Sequence, residues 1–151
     1  MAKCEQKLAL EAAQKEAMRA RDKARLGVIR MILAEIKRIE VDERIDVDDA
    51  RVVGTLDKML KQRRDSIAAF REAGRDELVA QEQSEVEVIK SFLPAQLDDS
   101  EIQQMVDEAI ELTAAQGMQD MGKVMGMLKP KMQGRADMGA VSGMIKQRLS
   151  N

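Results

Sequence analysis

The sequence of 151 residues contains no histidine, no tryptophan and no tyrosine, and it has one cysteine and two phenylalanines. Without histidine, zinc and copper sites lack their usual ligand, and neither a Ser-His-Asp nor a Cys-His catalytic unit can form. The single cysteine, Cys4, excludes an internal disulfide. No carboxylate pair stands out from the charged background as a general acid and base. We therefore expect no catalytic residue, no metal site and no cofactor.

Long apolar runs are also missing. No run approaches the ~20 residues that a membrane-spanning helix needs, and residues 1–7 are charged, unlike a secretory signal peptide. Together with the cysteine content, these features predict a cytoplasmic protein with no membrane partner.

The abundant residues are Ala, Leu, Met, Glu, Lys, Gln and Arg, all good helix formers. Their apolar members recur at three- and four-residue steps, which indicates amphipathic helices. We predict an all-α protein with four helices before Pro94 and three after it. Because proline cannot continue a helix and biases Leu93 away from the α region, the domain boundary is placed there. The expected domains are a four-helix bundle-like domain, 1–93, and a three-helix domain, 94–151.

Helix ends are marked by particular residues. Asp22 and Asp137 are predicted N-caps, and Asp98 with Glu101 has the spacing of a capping box. Gly74 suits the left-handed position after the third helix, and Gly117 is expected to end the fifth.

Charge is unevenly distributed along a chain with a formal net charge of −2. Residues 1–40 carry ten Lys/Arg and six Asp/Glu, whereas residues 41–119 carry nine and nineteen. Residues 120–151 carry six and two. The chain thus has an acidic middle between two basic ends, which permits a local basic patch.

The C-terminal basic end supplies candidate phosphate contacts, since Lys and Arg bind nucleic-acid backbones independently of sequence. Gly134 and Arg135, just before a helix start, are candidates to offer backbone N–H groups to an anion. The alternative is an ordinary solvated helix face. The candidate RNA-binding residues are Lys123, Lys129, Lys131, Arg135 and Lys146, with Arg148 beside them.

Glycine and methionine are concentrated in the same region: six of nine glycines lie between 117 and 143, and seven of twelve methionines between 118 and 144. Gly122, Gly126 and Gly134 indicate close approach of a second surface. That surface is either an external ligand or a neighbouring helix of the same domain. The methionines likewise fit either a partner-binding groove or core filling.

A further basic group contains Lys58, Lys61, Arg63, Arg64, Arg71 and Arg75. An arginine at 63 or 64 interrupts the apolar stripe, and we expect it to pair with Glu82 or Glu85.

Several segments, in order along nearly the whole chain, resemble the GatB/YqeY family. They are Arg63-Arg64-Asp65-Ser66-Ile67, Ala73-Gly74-Arg75-Asp76-Glu77-Leu78, Phe92-Leu93-Pro94-Ala95-Gln96-Leu97, Asp120-Met121-Gly122-Lys123-Val124-Met125 and Gly134-Arg135-Ala136-Asp137. The resemblance is to stand-alone YqeY-like proteins and to the tail of the GatB subunit of tRNA-dependent amidotransferases. It implies a helical bundle followed by a three-helix domain. It also implies contact with tRNA, because the tail of the GatB subunit contacts tRNA. That tail does not contain the kinase or glutaminase sites of the amidotransferase. Many relatives place Gly directly after the last Asp, where this chain has Met138.

Three functions follow as hypotheses. The first is a non-catalytic module that binds structured RNA, of tRNA type, through the C-terminal domain. The second is a protein–protein interaction module that binds an amidotransferase subunit or another protein. The third is a carbon–nitrogen ligase with glutamine as amido-N-donor, as the family label suggests, although the chain has no phosphate-binding loop and no placed nucleophile.

Overall fold

A computed structural model describes residues 4–150, and every regular element in that range is helical. The all-α prediction is confirmed. The chain divides into two compact units, Met1–Leu93 and Pro94–Asn151. None of the helices between residues 4 and 150 is long and apolar enough to cross a membrane.

The first unit is a ring of four helices, in which α1 packs on α2, α2 on α4, α4 on α3 and α3 on α1. Side chains from all four helices, with Ile32 and Leu56 among the fully buried ones, form one core. The helices are α1 (Glu5–Arg19), α2 (Lys23–Glu43), α3 (Asp49–Glu72) and α4 (Asp76–Lys90).

The predicted helix ends of this unit follow from local chemistry. The Asp22 carboxylate accepts a hydrogen bond from the Arg25 N–H at 3.1 Å and so caps α2. Asp48 caps α3 in the same way, at 2.8 Å from the Arg51 nitrogen. Gly74 has a φ of +71°, the left-handed conformation expected after α3. Both the Asp22 cap and the Gly74 conformation are confirmed.

A carboxylate on α2 ties three segments of the first unit together. The Lys7 ammonium donates to both Glu40 oxygens, at 2.9 and 3.1 Å, and the Val47 N–H donates to the same carboxylate at 3.3 Å. The Glu40 side chain is only 10% exposed. The hydrogen bond from Lys7 is the main cause that holds the pKa of Glu40 below its usual value, and Glu40 in turn raises the pKa of Lys7.

We expect Glu40→Gln to lower the free energy of unfolding at pH 7 by about 1 kcal/mol, a modest figure because solvent screens the partly exposed Lys7. Because the pKa of Glu40 is lower in the folded than in the unfolded state, its ionised form stabilises the fold at pH values above the unfolded-state pKa of ~4.3. This stabilisation is lost as the pH falls through the folded-state pKa. Because the pKa of Lys7 is higher in the folded state, its charged form stabilises the fold at pH values below the unfolded-state pKa of ~10.4. This stabilisation is lost as the pH rises through the folded-state pKa. Urea denaturation should therefore show a difference between wild type and variant that is constant from about pH 5 to 10 and shrinks outside it. A difference independent of pH would contradict this.

An ionic cluster lies where the apolar stripe of α3 is interrupted. The Arg63 Nε is 3.1 Å from a Glu85 oxygen and 3.6 Å from a Glu82 oxygen, both on α4. The three side chains are only 15–22% exposed. The expected pairing of Arg63 is confirmed with both carboxylates, so two acids share one guanidinium.

The second unit contains three helices around a small core rich in methionine. Met132 is fully buried, and five further methionines pack partly buried against the core. Core filling is therefore the role of most methionines in this unit. The elements are α5 (Asp99–Thr113), a 3-10 turn (Met118–Asp120), α6 (Met121–Met132) and α7 (Met138–Leu149).

Helix α5 starts as predicted and ends differently. Asp98 accepts from the Glu101 N–H at 2.7 Å, Glu101 returns the bond to the Asp98 N–H, and the capping box is confirmed. The helix stops at Thr113, where Ala114 adopts the left-handed conformation with a φ of +52°. Gly117 is extended, so the prediction that it ends the helix is wrong. Because Ala114 can adopt this conformation at a cost of only ~1–2 kcal/mol, no glycine was needed there.

Candidate nucleic-acid interface

The lysines of the second unit lie on α6 and α7. Lys129, Lys131 and Lys146 are exposed and form no ion pair with any described residue. The Lys123 ammonium is 71% exposed and lies 3.8 Å from an Asp120 oxygen, a contact that solvent leaves weak. Four lysines are thus available to an anionic ligand.

The outer face of α6 is almost bare of side chains. Val124, Leu128 and Met132 turn inward, whereas Gly122 and Gly126 are exposed. A Cβ added at either glycine would meet no atom within 4 Å. Packing against a neighbouring helix of the same unit is therefore not what these glycines serve.

Pro130 continues this bare face, because it follows Gly126 by four residues and is exposed too. Proline has no N–H, so the Gly126 carbonyl lacks the donor it would normally have four residues later. Helical periodicity places Lys123 and Lys129 on opposite edges of the face. We call Gly122, Gly126 and Pro130, with Lys123 and Lys129 at the edges, the glycine face.

Arg135 has a structural role that the sequence did not indicate. Its side chain is half-buried, and its Nε–H donates to the Ala95 carbonyl at 3.1 Å. Its own carbonyl accepts from the Leu97 N–H at 2.8 Å. The Gln96 side chain adds a third bond, to the Gly134 carbonyl at 2.7 Å. Arg135 therefore fastens residues 94–97 to the turn before α7, and its Nε–H is not available to phosphate.

Two backbone N–H groups at this turn are already hydrogen-bonded within the protein. The N–H groups of Arg135 and Ala136 both donate to the Met132 carbonyl, at 2.8 and 3.1 Å. At the start of α7, the Asp137 carboxylate accepts a hydrogen bond from the Gly139 N–H at 3.1 Å and caps the helix. The protein's own carboxylate therefore occupies the position that an anion would take. The prediction of Asp137 as N-cap is confirmed, and the prediction of a free N–H group is wrong for Arg135.

Gly134 is required for its conformation. Its φ of +77° lies in the left-handed region, which glycine adopts without steric cost. The residue is also buried in the turn. It therefore differs from the exposed Gly122 and Gly126, with which the sequence pattern grouped it.

Two further observations limit the chemistry of this unit. Arg148 pairs with Asp107 on α5 and so does not add to the free positive charge. No group of three or more His, Cys, Asp or Glu within residues 4–150 is placed to hold a metal ion.

The family described as Yqey-like protein matches residues 7–149 of the chain. The chain belongs to the YqeY-like family. The resemblance inferred from its motifs is thereby confirmed for the stand-alone members.

Curated relatives of this YqeY-like chain carry the name "Altered inheritance of mitochondria protein 41, mitochondrial". The relative from Pyrenophora tritici-repentis is 33% identical over 120 residues, which cover 78% of this chain and 65% of the relative. The one from Lachancea thermotolerans is 40% identical over 80 residues, covering 52% and 43%. The one from Saccharomyces cerevisiae strain YJM789 is 31% identical over 119 residues, covering 74% and 64%. The chain thus matches less than two thirds of the length of each of these relatives.

The expectation of a cytoplasmic protein is contradicted, because these relatives are named as mitochondrial proteins. Mitochondrial targeting segments are amphipathic and are removed, so the absence of an apolar stretch does not argue against them. The single cysteine does not distinguish the cytoplasm from the mitochondrion.

The fastening of residues 94–97 in this YqeY-like chain was not predicted from its sequence. The signal was present, since Pro94-Ala95-Gln96-Leu97 and Gly134-Arg135-Ala136-Asp137 both stood out as motifs. What the sequence did not show was that the two motifs bind each other.

Proposed function

We propose that this YqeY-like protein binds structured RNA, of tRNA type, through the glycine face of α6 and the lysines around it. The observation that carries the proposal is the glycine face itself. Two exposed glycines and a proline leave the helix backbone bare, and lysines flank it on both sides. A phosphodiester backbone can approach such a surface closely while lysines contact its phosphates.

The aromatic content favours a folded RNA over a single strand. Both phenylalanines, Phe70 and Phe92, lie in the first unit, so the second unit has no ring on which an unpaired base could stack. Double-helical RNA is recognised through its phosphates and 2′-hydroxyl groups instead.

The test is titration of the purified protein with a folded tRNA transcript at several salt concentrations. We expect the double variant Lys123→Gln, Lys129→Gln, which removes both lysines at the edges of the glycine face, to weaken binding at low salt about 10-fold or more. The slope of log affinity against log salt should fall by roughly one for each phosphate that the variant no longer binds. The matched control replaces two exposed lysines of the first unit, Lys37 and Lys58, by glutamine. It makes the same change in charge, and we expect its affinity to change little.

A second arm of the experiment uses the glycines. Because added methyl groups meet open space, Gly122→Ala with Gly126→Ala should stabilise α6, by up to about 1 kcal/mol per site. The same variant should bind the tRNA more weakly if a backbone approaches the glycine face. No binding by the wild type at low salt would overturn the proposal. So would tRNA binding that does not weaken as salt rises, because phosphate contacts weaken steeply with ionic strength.

A further inference from the structure

A second basic surface lies in the first unit, where α1 ends and α2 begins. The segment 19–25 reads Arg-Ala-Arg-Asp-Lys-Ala-Arg, with four cations and one carboxylate. That carboxylate, Asp22, is held by the Arg25 backbone N–H as the cap of α2. None of the four cations forms an ion pair with a described residue. We call Arg19, Arg21, Lys23 and Arg25 the basic corner.

The fold treats a comparable basic segment differently. Residues 58–64 also carry four cations, but carboxylates meet them: Arg63 pairs with Glu82 and Glu85, and Lys61 lies 4.0 Å from Asp65. Lys58 lies close enough to Glu35 to help lower the pKa of that carboxyl, after the larger effect of a hydrogen bond from Arg38. The structure thus neutralises one basic segment and leaves the other free.

The guanidinium of Arg25 is held in a fixed orientation without an acidic partner. Its Cζ lies 5.1 Å from the centroid of the Phe92 ring, and its Nη1 lies 3.4 Å from the Ser91 hydroxyl oxygen. A planar guanidinium held on an aromatic ring presents its remaining N–H groups in a set direction. Such a fork suits the oxygens of a phosphate.

Two open cavities adjoin the corner, and Asp22 and Arg25 line both of them. One, of about 560 Å³, lies between α2 and α4, and the other, of about 390 Å³, lies against α1. The small residues among their linings are Ala13, Ala17, Ala20, Ala24 and Gly27. One carboxylate besides Asp22 lines each cavity: Glu85, which pairs with Arg63, lines the larger one and Glu16 the smaller one.

From these observations we infer that the basic corner is a second phosphate-binding surface, for the backbone of the same class of structured RNA. The inference rests on the proposed function. Four cations lie within seven residues, and two of them, Lys23 and Arg25, also line the open cavities. Separated cations on an open surface match the repeated charges of a phosphodiester chain, whereas one cation in an enclosed pocket would match a single small anion. Three of the four cations are arginines, which bind phosphate by two parallel hydrogen bonds.

The test replaces Arg19, Arg21 and Lys23 by glutamine and measures binding of a folded tRNA transcript against salt. We expect affinity at low salt to fall about 10-fold or more and the salt slope to fall by roughly one for each phosphate left unbound. The matched control replaces Arg38, Arg51 and Arg75 by glutamine. It removes the same number of positive charges, but these three arginines are ion-paired in the fold. Its affinity should stay within about 3-fold of the wild type.

Arg25→Lys gives an independent readout, because it keeps the charge and removes the planar fork. It should weaken binding by several-fold, with thermal unfolding by circular dichroism to check the fold. If the wild type binds tRNA but the corner variant behaves like its control, the basic corner is not a binding surface and the proposed function still stands. No tRNA binding by the wild type overturns both. A corner variant that loses only its binding to anionic lipid vesicles assigns the surface to membranes and overturns the inference.

Discussion

Replacing Arg63 with methionine is expected to lower the free energy of unfolding by about 3 kcal/mol. The change leaves the Glu82 and Glu85 carboxylates facing each other's charge with no cation between them, and both are largely buried. Removing one partner of such a cluster costs roughly 3–5 kcal/mol when it is fully buried. The lower figure applies because each side chain keeps some contact with water. Urea denaturation followed by circular dichroism measures the change.

A compensating variant tests the cause. Arg63→Met combined with Glu82→Gln and Glu85→Gln removes the unpaired charges and should recover most of the stability. Arg75→Met is the matched control, because its pair with Glu77 is exposed, and it should cost less than about 1 kcal/mol. If the triple variant is no more stable than Arg63→Met alone, the destabilisation comes from packing and not from the stranded carboxylates.

Replacing Leu128 with alanine is expected to destabilise the second unit by about 3 kcal/mol. Leu128 is 1% exposed and lies in the centre of the core that α5, α6 and α7 share. Truncating a buried leucine costs roughly 2–5 kcal/mol, and a unit of this size rarely has more than ~3–5 kcal/mol in total. The variant should therefore leave residues 94–150 close to unfolding.

Hydrogen exchange measured helix by helix is the appropriate readout. Amide protection should fall in α5, α6 and α7 and persist in α1 to α4, because the two units have separate cores. Leu112→Ala, at a position that is 67% exposed on α5, should change protection little. An equal drop in protection across α1 to α7 would show that the units unfold as one.

The helices could be predicted because their signals are local. Apolar spacing along each helix and short-range caps, such as Asp98 with Glu101, act within a few residues. The end of α5 was misplaced for the same reason, since Ala114 adopts a left-handed conformation that a sequence rule assigns to glycine.

The candidate site was predicted only in outline. The region that contains Lys123, Lys129, Lys131 and Lys146 was identified by its composition. Residues with different structural roles were nevertheless grouped together in it. Arg135 was grouped with them, although it fastens a segment 40 residues earlier in the chain. Glycines 122, 126 and 134 also formed one group, although two lie exposed and the third is buried in a turn.

By itself, the sequence determined an all-α protein of the YqeY-like family, the number and approximate positions of its helices, and the absence of histidine chemistry. Only the tertiary structure decided which charges remain free. The basic segment at 58–64 is neutralised by carboxylates that include two on the following helix, and the one at 19–25 is not. The reason is physical: periodicity and caps act between neighbours in sequence, but an ion pair depends on which distant side chain the packing of helices brings within about 4 Å.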